Sequence, residues 1–171
     1  MMKRLICLLI LFVSSGCSVF DFLNAPDAPS TPNIRITTDD FDGVIFTAES
    51  SANTGLIFQF NDPIVEYWTP TEEQVLALES GVYDFLDETI PPEHYGREIL
   101  ERLPYYRRQY FGIGFREGEQ LIYASYFCPE DYFDYWLEGN VAVEDGGECF
   151  FQFFYNPETG AYSDLRINGL A

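Results

Sequence analysis

The chain has 171 residues, of which 47% are hydrophobic and 18% aromatic, and its formal net charge is −19 at pH 7. This length is typical of one domain, and the apolar content is too high for an intrinsically disordered chain. The charge argues against nucleic acids and anionic lipid headgroups as partners, because both repel an acidic surface. It fits either a cationic partner or a role in solubility.

The N-terminus has the order of residues found in a secretory signal. Residues 3 and 4 are basic, residues 5–13 are apolar, and the small residues 14–16 precede Cys17. The apolar run is too short to cross a bilayer, which needs about 20 such residues. The segment resembles the signal peptide of bacterial lipoproteins, and this resemblance implies cleavage before Cys17 and a lipid on its side chain. Ordinary secretory cleavage is the alternative.

The cysteine count supports the lipid anchor. Cleavage would remove Cys7 and leave Cys17, Cys128 and Cys149. Three thiols in an oxidising compartment leave one unpaired, and lipidation of Cys17 would use it. We therefore predict a disulfide between Cys128 and Cys149, with two buried free thiols as the alternative.

The predicted organisation has three parts. Residues 1–16 form the signal peptide, residues 17–34 the lipidated cysteine and a proline-rich tether, and residues 35–171 a single α+β domain. Without the signal, the chain would keep seven arginines and no lysine against 28 acidic residues, a net charge of about −21. The expected location is the bacterial cell envelope, where the lipid holds the domain to the membrane, facing the periplasm or the exterior.

The first half of the domain predicts a hairpin and a long helix. Apolar runs at 43–47 and 55–60 flank the Ser/Asn/Thr-rich residues 49–54, which favours a β-hairpin. Thr69 is the predicted N-cap of the helix, with Pro70 at its first position. A second, short helix is predicted within residues 92–103. The apolar stripe of the long helix has helical spacing and consists of Val75, Leu78, Val82 and Phe85 or Leu86.

The second half predicts two β-hairpins. Strands at 109–115 and 121–128 flank one turn, strands at 149–155 and 161–167 flank another, and each turn contains a glycine that can adopt a positive φ. The strand at 149–155 is apolar on both faces. It is therefore predicted in the middle of the sheet, between the helix and the acidic, aromatic connection 129–146.

This order of elements resembles the cystatin-like and nuclear-transport-factor-like folds. The resemblance implies one main helix packed on a curved antiparallel sheet of four to six strands. Residues 66–171 are also similar to a family of bacterial secreted and lipid-anchored proteins of unknown activity, so the resemblance implies no reaction. True cystatins share little with residues 120–124, and protease inhibition is not expected. The matching segments are Arg108–Gly112, Tyr126–Cys128, Asp145–Gly147, Tyr155–Thr159, Ser163–Leu165 and Asn168–Gly169.

The sequence predicts no catalytic residue, no metal site and no cofactor. His94 is the only histidine and lies in a predicted surface loop, so the usual catalytic clusters cannot form around it. Residues 38–49 match part of a calcium-binding loop, but Thr38 stands where the first carboxylate is needed.

Acidic and aromatic residues interleave in the connection 129–146. They predict an interaction surface for a cationic protein, while a solvated acidic face and a cover for the sheet are the alternatives. The expected function is thus non-enzymatic binding at the envelope. One alternative is a nuclear-transport-factor-like enzyme with an acidic base in the concavity of the sheet, and another is a calcium- or sugar-binding envelope protein. The predicted surface consists of Glu130, Asp131, Asp134, Tyr135 and Trp136.

Overall fold

The structure is a computed structural model that describes residues 32–56 and 60–170. It is an α+β fold with one sheet of seven strands, mostly antiparallel, in the order β1-β2-β4-β5-β6-β7, with β3 beside β4. The predicted class is confirmed, but the predicted count of four to six strands is wrong because the short β1 and β3 carry no clear alternation. The strands are β1 (Ile34–Thr37), β2 (Asp42–Phe46), β3 (Glu66–Trp68), β4 (Arg107–Gly114), β5 (Leu121–Phe127), β6 (Phe150–Asn156) and β7 (Ala161–Ile167).

The N-terminal strands do not form the predicted hairpin. One edge of β2 pairs with β1 in antiparallel orientation and the other pairs with β4 in parallel, so β2 has no free edge for the second predicted strand. Residues 57–59 of that predicted strand lie outside the described residues. The predicted turn instead forms helix α1 (Ala48–Asn53), whose N-cap Thr47 accepts the N–H of Ser50 at 3.2 Å. Serine, threonine and asparagine favour helix caps as well as turns, which explains the error.

Helix α2 (Glu72–Thr89) begins two residues later than predicted. Thr71 is the N-cap: its hydroxyl accepts the N–H of Gln74 at 3.2 Å, and the Gln74 side chain accepts the N–H of Thr71 at 2.9 Å. This reciprocal capping box satisfies two donors at once. The predicted cap, Thr69, accepts the N–H of Ala48 from α1 instead. The predicted apolar stripe is confirmed, since the buried residues of α2 are Val75, Leu78, Val82 and Leu86.

The short helix predicted within 92–103 is also present. Helix α3 (Ile99–Arg102) lies between two 3-10 turns, Tyr95–Glu98 and Leu103–Tyr105. Across the two stretches that the structure describes, no helix has both the length and the apolar character to cross a membrane. The predicted signal peptide, Cys17 and most of the predicted tether lie outside the described residues.

The sheet separates two apolar cores. The first face packs against α2 and α3, with large side chains from the central strands at its centre, among them Tyr110, Tyr126, Phe151 and Phe153. The second face packs against Leu56 and the connection 129–146, and here Phe46, Phe111, Phe127 and Phe154 point into the core. Because strand residues alternate between faces, the doubly apolar β6 contributes to both cores, as predicted.

The two C-terminal hairpins match the prediction. Strand β4 pairs with β5, and β6 pairs with β7, both in antiparallel orientation, while β5 and β6 join the hairpins. Gly118 and Gly160 lie in the two turns with φ of 77° and 73°. This left-handed backbone favours glycine, because residues with a side chain are strained at such a φ.

The connection 129–146 is fixed to the sheet by Gln109. This fully buried β4 side chain donates from Nε2 to the carbonyls of Trp136, at 2.6 Å, and Gly139, at 2.7 Å. Its Oε1 accepts the N–H of Val141 at 2.8 Å. Both the nitrogen and the oxygen of the Gln109 amide thus bind the connection 129–146, which covers the second face of the sheet.

Cys128 and Cys149, the pair predicted from the sequence, lie at bonding distance, with their sulfur atoms 2.13 Å apart. The bond joins the end of β5 to the start of β6 and closes the connection into a loop. For a separation of 21 residues, such a loop stabilises the folded state by about 3 kcal/mol on the chain-entropy estimate. Arg102 of α3 donates to the sulfur of Cys128 at 3.3 Å.

Candidate functional site

A cleft of about 470 Å³ opens beside α2 on the first face of the sheet. Helix α2, the turn between β1 and β2, and the segment after α3 form its walls. We call it the α2 cleft. The side chains that line it are Thr38, Asp40, Phe41, Leu76, Glu79, Ser80, Val82, Tyr83, Leu103, Pro104 and Arg108.

Glu79 lies at the floor of the α2 cleft with only 9% of its side chain exposed. Its Oε1 accepts the hydroxyl of Tyr110 at 2.7 Å and also the hydroxyl of Tyr126. Its Oε2 lies 3.5 Å from Nε of Arg108. Burial raises the pKa of the Glu79 carboxyl, while Arg108 and the two phenol hydroxyls act in the opposite direction.

Arg108 is the second charged residue of this floor, and 3% of its side chain is exposed. Its Nη2 donates to the carbonyl of Leu103 at 3.0 Å. The guanidinium carbon lies 4.5 Å from the ring centre of Phe41 and 5.1 Å from that of Tyr126. Within the described part of the chain, Nε and Nη1 have no hydrogen-bond partner. Nε faces Oε2 of Glu79 in the ion pair, so Nη1 is the nitrogen that lacks an acceptor, and buried donors are normally satisfied.

Tyr110 and Tyr126 complete the polar floor. Burial and the neighbouring Glu79 raise the pKa of both phenols well above the ordinary value, so both keep their protons at neutral pH. They therefore act as donors to Glu79. The floor combines one cation, one carboxyl and two neutral phenols, an arrangement that can orient a ligand oxygen or hold a proton.

Neither Glu79 nor Arg108 was predicted as a site residue. Glu79 lies between Val75 and Val82 on the apolar stripe of α2. Arg108 of β4 lies two residues from both Tyr106 and Tyr110, which are buried in the first core. A charge at a core position of an amphipathic pattern is the signal that could have revealed each residue. The enzyme hypothesis placed an acidic base in the concavity of the sheet without naming a residue, and Glu79 belongs to α2, the helix that covers the first face of the sheet.

The predicted interaction surface is only partly assembled. Glu130, Asp134 and Tyr135 are exposed, and Asp131 begins a 3-10 turn. Trp136 is wrong as a surface residue: only 5% of it is exposed, because its ring packs 6.1 Å from that of Phe127 in the second core. The alternative role of the aromatics, as a cover for the sheet, applies to Trp136.

The residues weighed for metal binding or catalysis have structural roles. Asp42 of the calcium-like segment accepts two hydrogen bonds from the guanidinium of Arg35, at 3.0 and 2.7 Å. Nδ1 of His94 accepts the N–H of Gly96 at 3.0 Å and so caps a 3-10 turn. Among the residues described, no three His, Cys, Asp or Glu side chains lie close enough together to hold a metal ion.

Comparison of the chain with protein-family models, with curated proteins and with solved structures finds no match. The candidate site is therefore defined by the geometry of this chain alone.

Proposed function

We propose that this protein is a lipid-anchored domain of the bacterial cell envelope that binds a small ligand in the α2 cleft without transforming it. The observation that carries the proposal is Nη1 on the buried side chain of Arg108, which has no hydrogen-bond partner among the described residues. A buried donor without an acceptor costs about 1–3 kcal/mol, and more when it is charged. A ligand oxygen would remove that cost.

The other walls suggest what the ligand carries besides this oxygen. Leu76 and Tyr83 lie two turns apart on α2 and remain 46% and 52% exposed at the cleft. They offer an apolar surface to the body of a ligand. Glu79 already balances the charge of Arg108, and Asp40 adds a carboxylate to the lining. An uncharged acceptor such as an amide carbonyl therefore fits better than a second anion.

Three probes with the same ring test this proposal: benzamide, benzoate and benzylamine. We expect benzamide to bind best and to shift the amide resonances of residues that line the α2 cleft in protein NMR spectra. Tyr83→Ala should weaken binding, because it removes an apolar wall. Tyr132→Ala is the matched control, since Tyr132 is 67% exposed and lies outside the cleft. Shifts that do not depend on Tyr83 would contradict the proposal.

Acid–base catalysis by Glu79 is the second candidate function. Burial raises the pKa of its carboxyl, and perturbed carboxyls in clefts are common at active sites. Oε1 of Glu79 accepts hydrogen bonds from two phenols, and Oε2 lies beside Arg108. A general base needs an accessible oxygen, so this geometry favours a binding site over a catalytic one. Glu79→Gln separates the two functions: a binding site would keep most of its affinity, whereas an enzyme would bind substrate and lose turnover.

The lipid anchor is tested at Cys17. Cys17→Ser should abolish lipid labelling and release the protein from the membrane fraction, because the serine hydroxyl cannot carry the thioether-linked lipid. Cys7→Ala is the matched control, since Cys7 belongs to the predicted signal and its loss should leave labelling unchanged. Continued membrane association of Cys17→Ser would contradict the anchor.

A cationic protein is the proposed partner of the acidic surface. The net charge of −19 and the exposed Glu130, Asp134 and Tyr135 support this interaction. Steering by charge fades as salt rises, since the Debye length is only about 8 Å at physiological ionic strength. We expect binding to a basic protein such as lysozyme to weaken with added salt and with joint replacement of these three residues. Binding that is insensitive to both changes would rule out this surface.

We further infer that the fold is related to the cystatin-like and nuclear-transport-factor-like folds. Support comes from α2, the 18-residue helix that packs on one face of the sheet, and from the antiparallel hairpins of β4 to β7. The parallel pairing of β2 with β4 is an additional feature of this chain. An experimental structure with a comparison of topology would test the relation.

A further inference from the structure

A row of polar residues crosses the second face of the sheet, opposite the α2 cleft. Ser125 of β5 pairs with Gln152 of β6, and Gln152 pairs with Arg166 of β7. Directly paired residues point to the same side of a sheet, and neighbouring strands lie about 4.8 Å apart. Aromatic pairs lie on both sides of this row, namely Tyr123 with Phe154 and Phe127 with Phe150. Polar groups are thus set within an otherwise aromatic surface.

A β-bulge adds a fourth polar residue to this row. Phe154 pairs with Ser163 and Gln152 pairs with Arg166, so two residues of β7 lie opposite the single residue 153 of β6. Of these two, Leu165 packs against the first core, whereas Asp164 lines the cleft on the second face. Asp164 has a φ of 55°, a left-handed conformation that is strained for a residue with a side chain. Bulges of this kind redirect side chains beside binding sites.

These residues line a cleft of about 460 Å³, which we call the bulge cleft. This volume lies within the range of small-molecule sites, and its lining of aromatic rings with a few polar groups is typical of them. Arg166 can only donate hydrogen bonds and Asp164, when ionised, can only accept them, whereas Ser125 and Gln152 can do both. A phosphate or carboxylate would need donors alone. A molecule rich in hydroxyl groups, each both donor and acceptor, matches the mixed set.

We propose that the bulge cleft binds a neutral sugar, with its hydroxyls on the polar row and an apolar face of its ring against Phe150 or Phe154. The negative charge of the chain disfavours acidic sugars at this cleft, which Glu144 also lines. The site lies on the opposite side of the sheet from Arg108 and does not depend on the α2 cleft.

The test titrates glucose, galactose and N-acetylglucosamine into the full mature chain, with glucuronate as the anionic probe. We expect at least one neutral sugar to cause saturable shifts of the amides of Ser125, Gln152 and Arg166. Asp164→Gly should weaken that binding by about tenfold, because it removes one charged hydrogen bond between the Asp164 carboxylate and a sugar hydroxyl. Glycine adopts a positive φ without strain, so this variant keeps the bulge. Glu158→Gln is the matched control, because Glu158 lies in the turn of the same hairpin, outside the cleft.

Three outcomes would overturn the proposal: no saturable shift with any neutral sugar up to its solubility limit, tighter binding of glucuronate than of glucose, or full affinity in Asp164→Gly. Arg166→Gln provides a second variant on an exposed position of β7, and it should also weaken binding. Benzamide binding in the α2 cleft should be the same in both variants, so failure here leaves the proposed function standing.

Discussion

Replacement of Arg108 by methionine is expected to destabilise the protein by about 3–5 kcal/mol at pH 7, the usual cost of removing one partner from a buried ion pair. Methionine keeps an apolar side chain of similar length between Phe41 and Tyr126. It leaves the Glu79 carboxyl in the core without its cation. Urea unfolding measures the change. Arg35→Met is the matched control, because the Arg35–Asp42 pair is exposed and such pairs contribute at most about 1 kcal/mol.

The pH dependence of this loss identifies Glu79 as its cause. The pKa of Glu79 is raised in the folded state, so the native protein binds this proton more tightly than the unfolded chain does. Stability therefore falls as pH rises above the usual glutamate value of about 4.3. Arg108 opposes this fall, since it favours the ionised carboxyl. The cost of Arg108→Met should thus shrink near pH 4.5 and in a Glu79→Gln background. An equal cost at both pH values, or a cost below that of Arg35→Met, would contradict the buried pair.

Gln109→Leu is expected to cost at least about 3 kcal/mol, because each buried polar group left without a partner costs about 1–3 kcal/mol. The substitution removes all three bonds to the connection 129–146, at the carbonyls of Trp136 and Gly139 and the N–H of Val141. Leucine has nearly the same size, so lost packing contributes little.

Hydrogen exchange distinguishes local release from general weakening. Amides within 129–146 should lose protection in Gln109→Leu, while those of β5 and β6 keep most of theirs. Gln152→Leu is the matched control: Gln109 and Gln152 both pair with Ser125, from opposite sides, and the Gln152 side chain is half-buried. Uniform loss of protection across the sheet, or no loss in the connection, would show that Gln109 does not hold this segment.

The elements that local chemistry determines could be predicted from the sequence. The stripe of α2, the glycine turns of both C-terminal hairpins and the position of β6 between two cores all follow from patterns within about ten residues. The cap of α2 was misplaced by two residues, because Thr69 and Thr71 offer the same hydroxyl chemistry and only Thr71 has Gln74 three residues later.

The features that depend on distant residues were not predicted. The parallel pairing of β2 with β4 brings together segments about sixty residues apart. The sequence of neither strand contains a pattern that predicts its pairing partner. Glu79 and Arg108 each look like one irregularity in an apolar pattern, and their relation appears only when α2 lies on β4. The bulge at Asp164 interrupts the alternation of side chains between the two faces of β7. The sequence alone therefore does not show that Gln152 and Arg166 lie on the same face.

The parallel pairing of β2 with β4 also has a consequence for the order of folding. Strands β4 to β7 are joined by local turns and by the connection 129–146, so they can assemble without the N-terminal part. Strand β2 joins this sheet only by closing a long loop that contains α1, β3, α2 and α3, and such non-local pairing is slow. We infer that the C-terminal sheet forms first and that docking of β2, together with its partner β1, is the late step. The part of the β4 edge that receives β2 then stays unpaired, and open to strands of other chains, until this step.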